Sequence, residues 1–414
     1  MPVDETYVYL HLAGEFVPAG LLTLHQTNDK VVSEFAYGRR YLERENAAPL
    51  DPLQLPLIRS EFQTSGVFRA FQDASPDAWG RHLLDRAAED EGVVPTEFEY
   101  LTVQDQENRI GAIAFGPDLD GPRPTKPSWR PEEISGERVD FAEMVETVDK
   151  ILNHEKLSPA QRRFFIRGSS AGGAQPKTLV DYDGKKWIAK FSRELELWPT
   201  CRIELAAMSL AAKCGIRVPF CRVLDVGGRD VFLTERFDRT EGGGREHFLS
   251  AMTLIGSDHI ERGAYGDIAM AIRKYGDARF IRKDLEELFR RMVFNVLVNN
   301  WDDHLRNHGF LYDPGSGHWR LSPAYDIVPQ PQREGEEEKR LTLALGERGS
   351  RATIENALSR CGDYSLRPEV AKEIVDGMVQ VVRRGWEREN AEAGVPADKI
   401  RLVEEAYRLV LVRG

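Results

Sequence analysis

Apolar and polar residues alternate with a period of two in "TYVYLHLAGEFVPAGLLTL" and "VVSEFAYG", which predicts short antiparallel strands with turns at Gly14 and Gly20. The period lengthens in "DASPDAWGRHLLDRAAEDEG", predicting a helix with Ser75 as N-cap, Pro76 at its first position, Asp77 in its first turn and Gly92 as its stop. Five prolines in "GPDLDGPRPTKPSWRPEE" then predict a linker or surface excursion. From about residue 140 a helix leads into "RGSSAGGAQPKTLVDYDGKKWIAKFS", a Gly-rich turn and two strands joined at Asp183 and Gly184. "CRIELAAMSLAAKCG" sets Ile203, Ala206, Ala207, Leu210 and Cys214 on one helical face, with Gly215 as the stop. Two more strands, "PFCRVLDV" and "RDVFLTERF", flank Gly227 and Gly228.

After Asp284, Leu285, Leu288, Phe289, Met292, Val293, Val296 and Leu297 fill spacings of three and four, predicting a strongly apolar helix. "GFLYDPGSGHWRLSPAYDIVP" reads as a hairpin turning at "PGSG", "REGEEEK" as a solvated loop, and the last ~65 residues as helical. The chain is thus expected to be α+β, with a β-rich module plus helix over residues 1–115 and a Pro-rich linker or loop over 116–135. A mixed lobe over 136–240 and a mainly helical lobe over 241–414 complete the division.

Its 414 residues exceed a single core, and 41% hydrophobic with 30% charged residues is an ordinary globular balance. A formal charge of −11 disfavours a broad grip on nucleic acid, so any DNA contact is expected to be local or borrowed from a partner. Cys201, Cys214, Cys221 and Cys361 show no pairing pattern and are expected to be reduced thiols. No stretch reaches the ~20 apolar residues of a membrane span and no leader pattern opens the chain, so a cytoplasmic location without membrane contact is expected.

Between the apolar helix and the hairpin lies "NNWDDHLRNHGFLY", rich in groups that bind metals or move protons. In protein kinases an Asp orients the acceptor hydroxyl, an Asn five residues later ligates Mg²⁺, and a further Asp from a later strand holds the other metal position. Asp302, Asn307 and Asp326 fit that series with hard oxygen ligands. Asp303 offers a second register, but its fifth neighbour is His308, a poor magnesium ligand. A zinc site of His304, His308 and His318 is disfavoured because no helix carries the H-x-x-x-H pair and no cysteine or glutamate stands beside it.

Upstream, "GSSAGGAQPKT" is small enough for backbone N–H groups to approach a phosphate, though an ordinary flexible turn has the same composition. It is not a P-loop, since Lys177 follows Gly173 by four residues where the motif needs one. Lys190, ending "WIAK", stands where a strand lysine meets nucleotide phosphates, and Glu204 opens the next helix as its candidate ion partner. "TERFDR" ends a strand and makes Glu235 to Phe237 hinge candidates for an adenine edge.

Taken together, "SSAGGAQPKT", "WIAKF", "FLTERFDR", "NNWDDHLRNHGF" and "LSPAYDI" resemble the HipA family of serine/threonine protein kinases, the toxin half of bacterial toxin–antitoxin pairs. "FRAFQDASPDAWGRHLL" is similar to that family's first module. The resemblance implies a two-lobed, protein-kinase-like fold using ATP and Mg²⁺. Lys190 would hold ATP phosphates, Asp302 would be the catalytic base, and Asn307 and Asp326 would ligate magnesium. Ser170, Ala171, Gly172, Gly173, Ala174, Gln175, Lys177, Glu235, Phe237 and His304 would line the nucleotide. Autophosphorylation is implied at Ser170 or its neighbour Ser169, although Pro176 replaces the acidic residue that family members carry before the loop lysine, and the Gly-rich loop departs in its glycine count. A protein substrate, such as an aminoacyl-tRNA synthetase, and a small DNA-binding, HipB-like antitoxin would be the partners. The competing readings are a small-molecule kinase and a non-catalytic co-repressor of such an antitoxin.

Overall fold

A computed structural model describes residues 3–27, 30–89, 91–130, 139–162, 175–194, 196–240, 242–331 and 338–411. Strands β1 (Val3–Leu12), β2 (Glu15–Gln26), β3 (Val31–Tyr37), β4 (Glu61–Ser65) and β5 (Ile113–Gly116) form one antiparallel sheet in the order β4-β3-β2-β1-β5. Gly14 does turn β1 into β2, at a φ of 92°. Gly20, expected at a turn, instead lies inside β2, paired with Val8 and Tyr37. A Cβ there would stand 2.2 Å from the Ala36 carbonyl and 2.6 Å from the Phe35 ring, so close packing, not a turn, requires the glycine. Helix Ala78–Glu89 starts two residues after Pro76, so Ser75 does not cap it. Trp79 on this helix donates its indole N–H to the Lys177 carbonyl at 2.9 Å. Residues 117–130 are irregular yet anchored, with Thr125 N–H on the Thr102 carbonyl and Trp129 buried.

Strands β6 (Lys177–Tyr182), β7 (Lys185–Phe191), β8 (Cys221–Val226) and β9 (Arg229–Glu235) form a sheet ordered β6-β7-β9-β8. Asp183 and Gly184 turn β6 into β7 with φ of 54° and 73°, as do Gly227 and Gly228 for β8 and β9 at 62° and 84°. Such turns favour residues that tolerate positive φ, which is why D-G and G-G were readable.

Helix Thr200–Lys213 buries Ile203, Ala206, Ala207 and Leu210 and packs against helix Pro368–Glu392, whose Glu389 accepts from Ser209 at 2.6 Å and pairs with Lys213. Helix Ile281–Leu297 buries the whole expected apolar series. Strand β10 (Phe248–Ser250) and the hairpin of β11 (Gly309–Asp313) and β12 (His318–Leu321) make a further sheet. By internal packing the chain forms two compact units: Met1–Glu194, Asp225–Arg229 and Leu233–Leu249 in one, Leu195–Leu224, Asp230–Phe232 and Ser250–Gly414 in the other. Among the described residues no helix is long and apolar enough to cross a membrane. Cys201, Cys214, Cys221 and Cys361 are not in disulfides.

Candidate active site

Helix Ile281–Leu297 ends because Asn299 takes a left-handed φ of 55°, and the Asn300 N–H returns to the Asn295 carbonyl at 2.9 Å, closing the last turn. The chain that follows is fastened on every side. Asn299 donates its side-chain amide to the Gln330 carbonyl at 2.7 Å, and Asn300 donates to Asn295 Oδ1 at 3.1 Å. The Trp301 carbonyl accepts from Thr342 N–H at 2.9 Å and its hydroxyl at 2.8 Å, and Leu305 N–H reaches the Ile260 carbonyl at 3.0 Å. Asp302 is thereby presented on a rigid backbone with its side chain exposed.

Asp303, the other candidate register, has a different task. It is buried and accepts from the Tyr265 hydroxyl and, at 2.8 Å, from His308 Nε2. Asn295 donates to the same tyrosine oxygen at 3.0 Å, so the chain of bonds runs from the helix into the loop. Burial and the Asp303 charge push the Tyr265 hydroxyl well above its ordinary range, which keeps it a donor.

The β11–β12 hairpin brings the two remaining residues toward one end. Phe310 pairs with Leu321 and the Ser322 N–H donates to the Gly309 carbonyl at 2.8 Å, so the arms carrying Asn307 and Asp326 leave the hairpin side by side. The Tyr325 hydroxyl then clips the second arm to the Arg306 carbonyl at 2.7 Å. Asn307 is buried, and its amide nitrogen donates to the Asp302 carbonyl at 3.4 Å, turning its amide oxygen the other way. Asp326 is half-buried at a left-handed φ of 59°, a conformation that costs a non-glycine residue ~1 kcal/mol and that asparagine and aspartate tolerate best.

Charged groups under β12 hold this arm. Arg320 grips Asp284 with two bonds of 2.7 and 3.0 Å, Arg217 donates to Glu287 at 2.6 Å and to the Leu321 carbonyl at 2.7 Å, and the buried Arg291 reaches both Glu287 and the Ser322 carbonyl. Ala324 N–H returns to the Arg217 carbonyl at 2.7 Å, two residues before Asp326.

The donor set suits magnesium: an amide oxygen and a carboxylate are hard ligands. On the same loop, His304 Nδ1 and Arg306 Nε are buried without a hydrogen-bond partner. Of the histidines weighed for zinc, His308 is engaged by Asp303, and His318 sits at the turn end of the hairpin against the Ser316 carbonyl.

In the other unit Lys177 and Lys190 are direct cross-strand partners, 4% and 5% exposed. Side chains directly opposed across an antiparallel pair share one face, so both lysines project from the same side of the sheet. Phe191 N–H donates to the Pro176 carbonyl at 2.9 Å, continuing that pairing toward Gln175. Ser169 to Ala174 lie outside the described residues, so the Gly-rich loop is not placed. Glu204 is buried on helix Thr200–Lys213. Glu235 ends β9 and pairs with Lys185 at 2.7 Å, and Phe237 packs its ring 6.3 Å from that of Phe248.

Residues 169–386 match the profile of the HipA-like C-terminal domain, and residues 15–115 that of the HipA N-terminal domain. The chain belongs to the HipA family. Its relatives include the Sinorhizobium fredii protein named "Putative kinase Y4dM", 24% identical over 93% of this chain and 92% of that one. A Haemophilus influenzae protein named "Putative kinase" is 28% identical over 58% of this chain and 77% of that one. The HipA of Shewanella oneidensis, solved with HipB and operator DNA, superposes with a TM-score of 0.65 at 19% identity, covering 98% of this chain and 96% of that one, which shows a shared HipA fold.

One buried cluster in this HipA-family chain carries no signal in the sequence. Arg236, in the middle of the hinge candidates, and Asp238, just past them, are buried and form an ion pair of 2.7 Å, joined by Arg239 at 2.8 Å. Arg236 donates to the Asn108 and Arg109 carbonyls at 3.1 and 2.9 Å, and Asp238 accepts from Gly111 N–H at 2.7 Å. Burial alone would raise the Asp238 carboxyl, but the two guanidiniums and the Gly111 N–H hold it well below the usual carboxylate range. Burial likewise brings Arg239 down to about 9 despite the Asp238 charge. The end of β9 is thus bolted to the first module; alternating charges after a strand look like a solvated turn, so no pattern in the sequence marked them as buried.

Proposed function

We propose that this chain is a serine/threonine protein kinase that transfers the γ-phosphoryl group of ATP to a hydroxyl on a cellular protein. The observation that supports this reading is the loop itself: an exposed residue at Asp302, Asn307 bonded to its backbone carbonyl, and Asp326 on the arm that follows the hairpin. Magnesium, when bound, would neutralise the triphosphate. Asp302 orients the acceptor hydroxyl and takes its proton as the new O–P bond forms and the bond to the ADP oxygen breaks. Asn307 and Asp326 offer the metal ligands, and Lys190 with Lys177 offers positive charge to phosphate oxygens. Gln175 and His304 contact the nucleotide, as do Glu235 and Phe237 through the hinge backbone; the Gly-rich loop carries the autophosphorylated serine, Ser170 or Ser169.

The shared fold with a HipA solved alongside HipB and operator DNA supports a small DNA-binding antitoxin as partner, which would supply the basic surface that a chain of charge −11 lacks. Growth arrest through a phosphorylated protein, such as an aminoacyl-tRNA synthetase, is the role this reading favours. Incubating lysate with γ-labelled ATP tests it. Label is expected on protein with the wild type and to fall by orders of magnitude with Lys190→Ala; undiminished label with that variant would overturn the assignment of Lys190.

A further inference from the structure

Arg306 stands out on the candidate catalytic loop. It sits in the short turn Leu305–Asn307, where successive side chains point about 120° apart. Leu305 is fully buried and Asn307 nearly so, which leaves Arg306 as the member of the turn that is not driven inward. Its backbone is fixed, since its carbonyl accepts from the Tyr325 hydroxyl at 2.7 Å. Its guanidinium forms no ion pair with any described carboxylate, and its Nε is buried without a hydrogen-bond partner. By contrast, Arg217 pairs with Glu287, Arg320 with Asp284 and Arg202 with Asp230. Leaving a buried donor of a charged group unsatisfied costs stability, so such an arginine is best explained by a partner that arrives later.

A metal is not that partner, because a fixed cation repels one, and Asn307, the proposed metal ligand, leaves the turn on a different side. An anion carried by the protein substrate fits better. A guanidinium is a planar fork that binds carboxylate or phosphate with two parallel bonds, and this one stands four residues after the group proposed to orient the acceptor hydroxyl. Resting on the kinase reading above, we infer that Arg306 selects protein substrates bearing an anionic side chain, a carboxylate or a phosphate, close to the accepted serine or threonine. Its role is recognition of the acceptor segment, separate from ATP.

The test uses the full chain, ATP with magnesium, and serine peptides that differ only near the acceptor: Glu, phosphoserine, Gln or Lys. The wild type is expected to phosphorylate the Glu or phosphoserine peptide with a kcat/KM about tenfold or more above the Gln isostere, the preferred member showing whether carboxylate or phosphate is read. Arg306→Gln should erase that preference through the peptide KM, Arg306→Lys should retain part of it, and Arg306→Glu should shift preference to the Lys peptide; the KM for ATP should hold in all three. Equal use of all peptides by the wild type, or a preference unaltered by Arg306→Glu, overturns the inference while leaving the kinase reading intact. A raised ATP KM with the peptide preference unchanged also overturns it, assigning the guanidinium to the nucleotide. No label on any peptide with the wild type overturns the kinase reading and this inference together.

Discussion

Replacing Asp302 with asparagine is expected to lower the rate of phosphoryl transfer by about 10²- to 10⁴-fold, the usual worth of a general base, while leaving the protein folded. Asparagine keeps the shape of the side chain but cannot take a proton. The residue is exposed, so the exchange is a surface change. Thermal unfolding should therefore stay within the ~0.5 kcal/mol typical of a surface change. Single-turnover rates with labelled ATP, read beside a melting curve, separate the possibilities. A variant as active as the wild type would remove Asp302 from the chemistry; one that melts early would make it a structural residue like its neighbour Asp303.

The largest expected effect on stability belongs to Glu287. It is 5% exposed and accepts from Arg217 at 2.6 Å and from the buried Arg291. Burial already presses the Arg291 guanidinium toward deprotonation, and the Glu287 charge is what opposes this. Glu287→Ala leaves that guanidinium buried with its main counter-charge gone, a change that ordinarily costs about 3–5 kcal/mol. The same two arginines hold the Leu321 and Ser322 carbonyls, so the arm that ends at Asp326 should loosen as well. Equilibrium urea unfolding measures the first effect; a cost below about 1 kcal/mol would mean that water reaches the cluster and that it does not anchor the arm.

The elements most legible in the sequence were those with a local physical signature. Positive-φ turns at Asp183-Gly184 and Gly227-Gly228, and the apolar face of helix Ile281–Leu297, follow from backbone sterics and from a period that packing rewards. Gly20 was misread because glycine marks both turns and close approaches, and only the Phe35 ring across the sheet tells them apart. The start of helix Ala78–Glu89 slipped by two residues, since Ser-Pro-Asp suits a helix entry whether or not the cap forms. Helix Tyr265–Tyr275 was not read at all, although Ile268, Ala269 and Ile272 line its buried face; the glycines at 263, 266 and 276 broke the pattern. In the candidate site, the five-residue spacing pointed to Asp302 and Asn307, but the buried bond between Asp303 and His308 has the same spacing and needed coordinates to be seen. Buried ion pairs such as Arg236–Asp238 carry no periodic signal, because their partners are main-chain carbonyls far along the chain.

Calorimetric titration of ATP with and without magnesium, on the wild type and on Asp326→Asn, addresses the central claim that the hairpin-borne carboxylate and amide carry a metal–nucleotide. The wild type is expected to bind ATP markedly more tightly when magnesium is present, and Asp326→Asn to lose this dependence while retaining its fold. Equal affinity with and without the metal in the wild type, or a variant that keeps the full magnesium effect, would contradict that claim.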